Sequence, residues 1–122
     1  SGKWELVTDK FPFILADPMA FYDKDLDKLF IYYGSGAGTS IMGMELDKKT
    51  MMPKMEAVPL FHPDAKNYGW EVAGDYNTNY SHEAWMEGAW MNKHNGKYYL
   101  QYAVPGTEFK SYSNGIYVSD SP

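Results

Sequence analysis

The chain of 122 residues contains no cysteine, and no apolar run approaches the 18 residues that would indicate a transmembrane helix. The absence of cysteine rules out a disulfide framework and thiolate chemistry. The net charge of −5 argues against a nucleic-acid partner, because such a partner favours a basic patch. No long segment has the 3.6-residue apolar period of an amphipathic helix, so the sequence predicts an all-β fold.

The sequence also lacks a pattern for a metal or phosphate site. The three histidines are too scattered for zinc spacing, and the methionines between residues 42 and 55 favour core packing. Three alternate aspartates resemble the start of a calcium loop, but Lys28 stands where the glycine of that loop belongs. The glycine-rich segment 34–38 is followed by no helix pattern, so we interpret it as a flexible connection rather than a phosphate cradle.

Aromatic residues, in contrast, are abundant. Phe, Trp and Tyr make up 17% of the chain, with 11 Tyr and 4 Trp. Flat rings stack on the apolar faces of sugars, and carboxylates accept hydrogen bonds from sugar hydroxyls. The composition therefore suits a carbohydrate-binding protein, although rings that simply fill a β core would give the same count.

Residues 87–102 predict a β-hairpin. Asn95-Gly96 provides the two positive φ angles that a tight hairpin turn requires. In the strand that follows, residues 98–102, one face carries Tyr98, Leu100 and Tyr102, and the other carries Tyr99 and Gln101. The hairpin is thus expected to present one aromatic face to the core.

Glu87 opens this hairpin beside Trp85 and Trp90. A carboxyl group among aromatic rings loses hydration, which favours its neutral form. That is the form that a general acid requires. The alternative is a surface glutamate beside two packing tryptophans.

The segment 17–33 repeats this layout. Asp17 corresponds to Glu87 at an offset of 70 residues, and Lys28 corresponds to Lys97 with one extra residue in the first turn. Repeats of this kind are typical of propellers, in which equivalent strands line one axis. Asp17 and Glu87 are therefore expected to face one funnel.

The remaining segments complete the predicted organisation. Residues 9–61 are interpreted as a first blade of four strands, 62–82 as a long loop, and 83–122 as a partial second blade of three strands. Residues 3–8 alternate like a short strand that closes another sheet. Asn114-Gly115 is interpreted as a turn that leads into the last strand. The predicted architecture is an incomplete β-propeller of about two blades.

Several short segments resemble the family 43 glycoside hydrolases. The Asp-Pro pair at 17–18 with Phe-Tyr-Asp at 21–23 resembles the opening of their third blade. The segment 87–90, together with 95–100, resembles their Glu-Gly-Pro/Ser segment. Residues 118–122 look like the strand that closes that blade. The resemblance covers most of the chain, and its motifs are specific as a set.

The resemblance implies a five-bladed propeller that hydrolyses arabinosides, xylosides or galactosides of plant-type polysaccharides with inversion. By position, Glu87 resembles the general acid and Asp17 resembles the carboxylate that modulates the pKa of the acid. The general base has no counterpart here, because it belongs to the first blade, and Ala89 replaces a frequent proline. The candidate aromatic walls for substrate binding are Trp85, Trp90 and Tyr112.

Further expectations concern partners and location. We expect a carbohydrate substrate, no nucleic-acid or membrane partner, and no cofactor, although the resemblance is compatible with a structural calcium ion at the propeller axis. Open sheet edges are expected to cause self-association. Ser1-Gly2 resembles a cloning remnant, so a secreted or periplasmic protein with an upstream signal is expected. A non-catalytic carbohydrate-binding module with aromatic platforms and a scaffold for protein partners remain the alternatives.

Overall fold

Eight β-strands form the protein, as described by a computed structural model for residues 2–8 and 10–122. The strands are β1 (Met19–Asp23), β2 (Lys28–Tyr33), β3 (Gly36–Ala37), β4 (Ile41–Leu46), β5 (Val58–Phe61), β6 (Trp85–His94), β7 (Lys97–Val104) and β8 (Ser113–Ser119). A 3₁₀ turn covers Gly69–Glu71, and the described residues contain no α-helix. The predicted all-β class is confirmed. None of the helical structure in that part of the chain is long and apolar enough to cross a membrane.

The strands form two antiparallel four-stranded sheets, in the orders β1-β2-β4-β5 and β3-β6-β7-β8. The second sheet was expected to have three strands, and that expectation is wrong. Gly36 pairs with Met86 and Ala37 with Trp85, so β3 extends the second sheet by one short strand. The segment 34–38 is therefore not a free connection: Gly36 and Ala37 pair with β6, and the N–H groups of Gly34 and Gly38 donate to the carbonyls of Ala16 and Ala84.

The strand predicted for residues 3–8 does not form. No strand among the described residues pairs with this segment, so its backbone groups have no ladder partner. The predicted first blade was drawn from residue 9, which lies, like Ser1, outside the described residues.

Both predicted hairpins form. Asn95 and Gly96 connect β6 to β7 with φ angles of 48° and 75°, which confirms the predicted turn. Along β7 the side chains of Tyr98, Leu100 and Tyr102 are buried, while the intervening residues are only partly buried. The alternation predicted from the sequence is thus the alternation observed.

The main core lies between the two sheets. It includes Tyr32 and Ile41 from the first sheet and Met86 and Tyr102 from the second. A smaller cluster around Ile31 covers the opposite face of β2, where Phe11 and Leu15 pack. Because β2 is covered on both faces, its unbroken apolar run is explained.

Asn114 and Gly115 lie within β8, so the turn predicted there is wrong. Gly115 pairs with Tyr102, and a Cβ at Gly115 would stand 2.4 Å from the tyrosine ring. The glycine is therefore required by the close approach of an aromatic ring rather than by a turn.

Candidate active site

Glu87 occupies the third position of β6, directly before a β-bulge. The register shifts between Glu87 and Trp90, so that Gly88 and Ala89 stand where the β7 strand offers one residue. Gly88 has a φ of 68°, a conformation that glycine adopts without strain. The bulge changes the direction in which β6 presents its side chains immediately after Glu87.

Three neutral groups donate hydrogen bonds to the Glu87 carboxylate. The hydroxyl of Ser35 and the indole N–H of Trp85 donate to Oε2, at 3.1 Å and 3.0 Å. The hydroxyl of Tyr112 donates to Oε1 at 2.9 Å. The Trp85 N–H also lies 3.0 Å from the Ser35 hydroxyl oxygen. Within residues 2–8 and 10–122, no lysine forms an ion pair with Glu87.

Asp17 lies next to a backbone contact with the segment that carries Ser35. The N–H of Gly34 donates to the carbonyl of Ala16 at 2.9 Å, and Asp17 and Ser35 each directly follow one of these two residues in the chain. Asp17 has a φ of 49°, a left-handed conformation that aspartate tolerates better than most residues.

Tyr112 is influenced by both carboxylates. Burial raises the pKa of Tyr112 to about 12, together with its hydrogen bond to Glu87 and the negative charges of Glu87 and Asp17. The Tyr112 hydroxyl therefore stays protonated at neutral pH. Both carboxylates therefore lie near enough to the Tyr112 hydroxyl for their charges to act on it.

Comparison with known proteins identifies the family of the chain. The family model for Glycosyl hydrolases family 43 matches residues 2–122. The chain belongs to glycosyl hydrolase family 43. No significant match is found among curated protein sequences.

Solved structures share the fold. An endo-1,4-beta-xylanase from Bacteroides thetaiotaomicron VPI-5482 is 26% identical with a TM-score of 0.69, over 87% of this chain and 33% of that chain. A thermostable family-43 glycoside hydrolase is 25% identical with a TM-score of 0.71, over 95% and 36%. An alpha-L-arabinofuranosidase from Clostridium thermocellum ATCC 27405, 24% identical with a TM-score of 0.57 over 95% and 31%, supports the fold alone. The chain thus spans about a third of these structures, and its two sheets are two blades of an incomplete propeller.

The site residues predicted for this family 43 chain fall into two places. Trp85 and Tyr112 donate to Glu87, and the charge of Asp17 acts on the Tyr112 hydroxyl. Trp90 does not donate to Glu87 among the hydrogen bonds described; it lines a separate groove of about 460 Å³ between β1 and β6. Trp90 is 56% exposed, and its role as an aromatic wall stays a prediction.

Sequence analysis missed Ser35. This serine lies between two glycines in a segment that was interpreted only as a connection. Ser35 and Glu87 are 52 residues apart, and only the pairing of β3 with β6 brings the hydroxyl to the carboxylate. A lone serine in a glycine-rich segment carries no local signal of such a contact.

The structural calcium ion that the resemblance leaves open stays a prediction. No group of three or more His, Asp or Glu side chains in the described part of the chain has the arrangement of a metal site.

Proposed function

We propose that this chain carries the general acid, Glu87, and the auxiliary carboxylate, Asp17, of an inverting glycoside hydrolase. The observation that carries the proposal is a partly buried carboxylate at a β-bulge, held by three neutral donors, with the charge of Asp17 acting on one of these donors, Tyr112. The three donors fix the orientation of the Glu87 carboxyl group.

The proposed mechanism uses two carboxyl groups on opposite faces of the sugar. Glu87 gives its proton to the glycosidic oxygen as the bond to the anomeric carbon breaks. A general base activates the attacking water, and the two groups stand about 6.5–9.5 Å apart in inverting enzymes. Asp17 approaches from the side of Glu87, so we assign the base to a residue outside this chain. We assign Asp17 the auxiliary role beside the acid that the family resemblance implies.

We propose arabinosides, xylosides or galactosides of plant-type polysaccharides as substrates. One of the similar structures, 26% identical, is named as an endo-1,4-beta-xylanase, which supports the xyloside part of this class. Trp85 and Trp90, 42% and 56% exposed, offer aromatic surface on which a sugar can stack. Because polysaccharides do not cross membranes, we also propose a secreted or periplasmic location, which cell fractionation tests.

The test replaces the acid in the natural protein that contains this chain, here called the parent protein. Glu87→Gln should lower the rate on an arylglycoside of arabinose, xylose or galactose by about 10² to 10⁴. Glu56→Gln is the matched control, because Glu56 is exposed and distant in sequence from the site. An unaffected Glu87→Gln protein would refute the acid assignment, and sugar binding without hydrolysis would favour the binding-module alternative.

For the isolated 122-residue chain we propose two further properties. Lacking the base, the chain should be essentially inactive alone, and full activity would contradict the assignment of the base to another part of the parent protein. The chain should also self-associate, because β8 exposes Ile116 and Val118, 63% and 61% accessible, at an open edge of its sheet. Light scattering of the chain and of its Ile116→Lys variant measures this; a monomer at all concentrations would exclude it.

A further inference from the structure

The two oxygens of the Glu87 carboxylate have different neighbours. Oε2 accepts from the indole N–H of Trp85, which can only donate a hydrogen bond, and from the hydroxyl of Ser35. Oε1 accepts from the hydroxyl of Tyr112, which can either donate or accept. Oε2 therefore has a neighbour, Trp85, that can only donate to it, whereas the neighbour of Oε1, Tyr112, can either donate to it or accept from it.

This asymmetry determines where a proton fits. A proton on Oε2 would compete with the fixed N–H of Trp85, which also lies within hydrogen-bond distance of the Ser35 oxygen. A proton on Oε1 meets a hydroxyl that can turn and accept it. The protonated carboxyl group is consequently better satisfied with its hydrogen on Oε1.

We propose that Glu87 carries its acid proton on Oε1 and that Tyr112 is the positioning residue that aims it. The proposal deepens the function proposed above and rests on Glu87 being the general acid. It replaces the aromatic-wall role predicted for Tyr112 with a role for its hydroxyl.

The hydrogen bond reverses during the reaction. In the resting acid, Oε1–H donates to the Tyr112 oxygen. When substrate binds, this proton passes to the glycosidic oxygen, which keeps the electron pair of the bond broken at the anomeric carbon. The charge left on Glu87 is then stabilised by the Tyr112 hydroxyl, which now donates to Oε1. A proton from solvent restores the acid after the products leave.

Two properties of Tyr112 fit this role. Its pKa is raised to about 12 by burial, by the hydrogen bond to Glu87 and by the nearby negative charges, so the hydroxyl keeps its own proton throughout. Its side chain is 38% exposed, which leaves a path for the solvent proton that returns to Glu87.

The experiment compares leaving groups in the parent protein. Proton donation matters for a phenyl glycoside, whose leaving group is poor, and little for a dinitrophenyl glycoside. Tyr112→Phe should therefore lower kcat/KM about tenfold to a hundredfold on the phenyl glycoside and much less on the dinitrophenyl glycoside. Tyr76→Phe is the matched control, since Tyr76 is 81% exposed. The alkaline limb of the pH–rate profile should move to higher pH, because the ionised carboxylate loses a donor.

Two companion variants make the outcome decisive. Glu87→Gln must show the same dependence on the leaving group; if it does not, the proposed function fails. If Glu87→Gln shows the dependence and Tyr112→Phe loses activity equally on both substrates, Tyr112 is a wall and only the present proposal fails. The activity of Ser35→Ala should depend less on the leaving group than that of Tyr112→Phe does. A stronger dependence for Ser35→Ala would place the proton on Oε2. Melting temperatures of all variants separate these effects from misfolding.

Discussion

Two carboxylates at the two ends of the contact between β1 and β6 have opposite environments. Asp23 closes β1, and its side chain is fully buried against Lys93 of β6, whose Nζ lies 3.0 Å from both carboxylate oxygens. Glu87, near the start of β6, has neutral donors and partial exposure. Asp23 and Lys93 are separated by 70 residues, as are Asp17 and Glu87. Of these two equivalent pairs of positions in the repeat, one (Asp23 and Lys93) therefore carries an ion pair, and the other (Asp17 and Glu87) carries two carboxylates.

The difference in partners separates a structural carboxylate from a chemically available one. Burial alone would raise the pKa of Asp23, but hydrogen bonds from Tyr98, Lys93 and the N–H groups of Leu26 and Asp25 lower it to about 2. Asp23 therefore stays ionised and holds the two sheets together. Glu87 has no such cation among the described residues, and its three hydrogen-bond partners are neutral.

The largest expected effect on stability comes from breaking the buried pair. Asp23→Asn leaves Lys93 without its main partner in a mostly buried site, so the melting temperature of the parent protein should fall by about 10 °C or more. Asp25→Asn is the matched control, because Asp25 also contacts Lys93 but is 79% exposed. An equal melting temperature for Asp23→Asn and the control would contradict the structural role.

A matched pair of tyrosine variants sharpens the comparison. The Tyr98 hydroxyl donates to Asp23 as the Tyr112 hydroxyl donates to Glu87. Tyr98→Phe should lower the free energy of unfolding by about 1.5–3 kcal/mol, because a buried charge loses a donor. Tyr112→Phe should leave stability nearly unchanged, because its acceptor remains partly hydrated. Denaturant titration measures both; equal losses would remove the distinction between the two ends.

The pH dependence of stability should also come from the Asp23 end. The pKa of Asp23 is about 2 in the folded protein and near 3.9 in an unfolded chain. A lowered folded pKa contributes stability that is present above pH 4 and is lost as the pH falls toward 2. The stability difference between the wild type and Asp23→Asn should therefore shrink over this window. Unfolding titrations at pH 5, 3 and 2 measure it, and a constant difference would count against the assignment.

The smallest expected effect concerns the bulge beside Glu87. Gly88→Ala places a side chain at a φ of 68° but meets only the Ala103 Cβ at 3.7 Å, so strain rather than a clash should cost about 1–2 kcal/mol. The hydrolytic rate should fall more than stability does, because the bulge directs Glu87. A variant with unchanged activity would show that Glu87 is aimed by its three donors alone.

Local pattern was sufficient for much of the fold. The Asn95-Gly96 turn, the alternation along β7 and the apolar run of β2 depend on neighbouring residues and on the two-residue period of a strand, so the sequence determined them. The repeat places Asp17 and Glu87 at equivalent positions 70 residues apart, and their meeting in one funnel stays a prediction.

Only the tertiary structure decided the contacts between side chains of different segments. Ser35 reaches Glu87 because β3 joins the second sheet, and Lys93 reaches Asp23 because β1 packs on β6. Gly115 was misinterpreted because the ring of Tyr102 that requires it lies on the neighbouring strand of the same sheet. These groups meet only after the strands have paired and packed, so neighbouring residues in the sequence do not reveal the contacts.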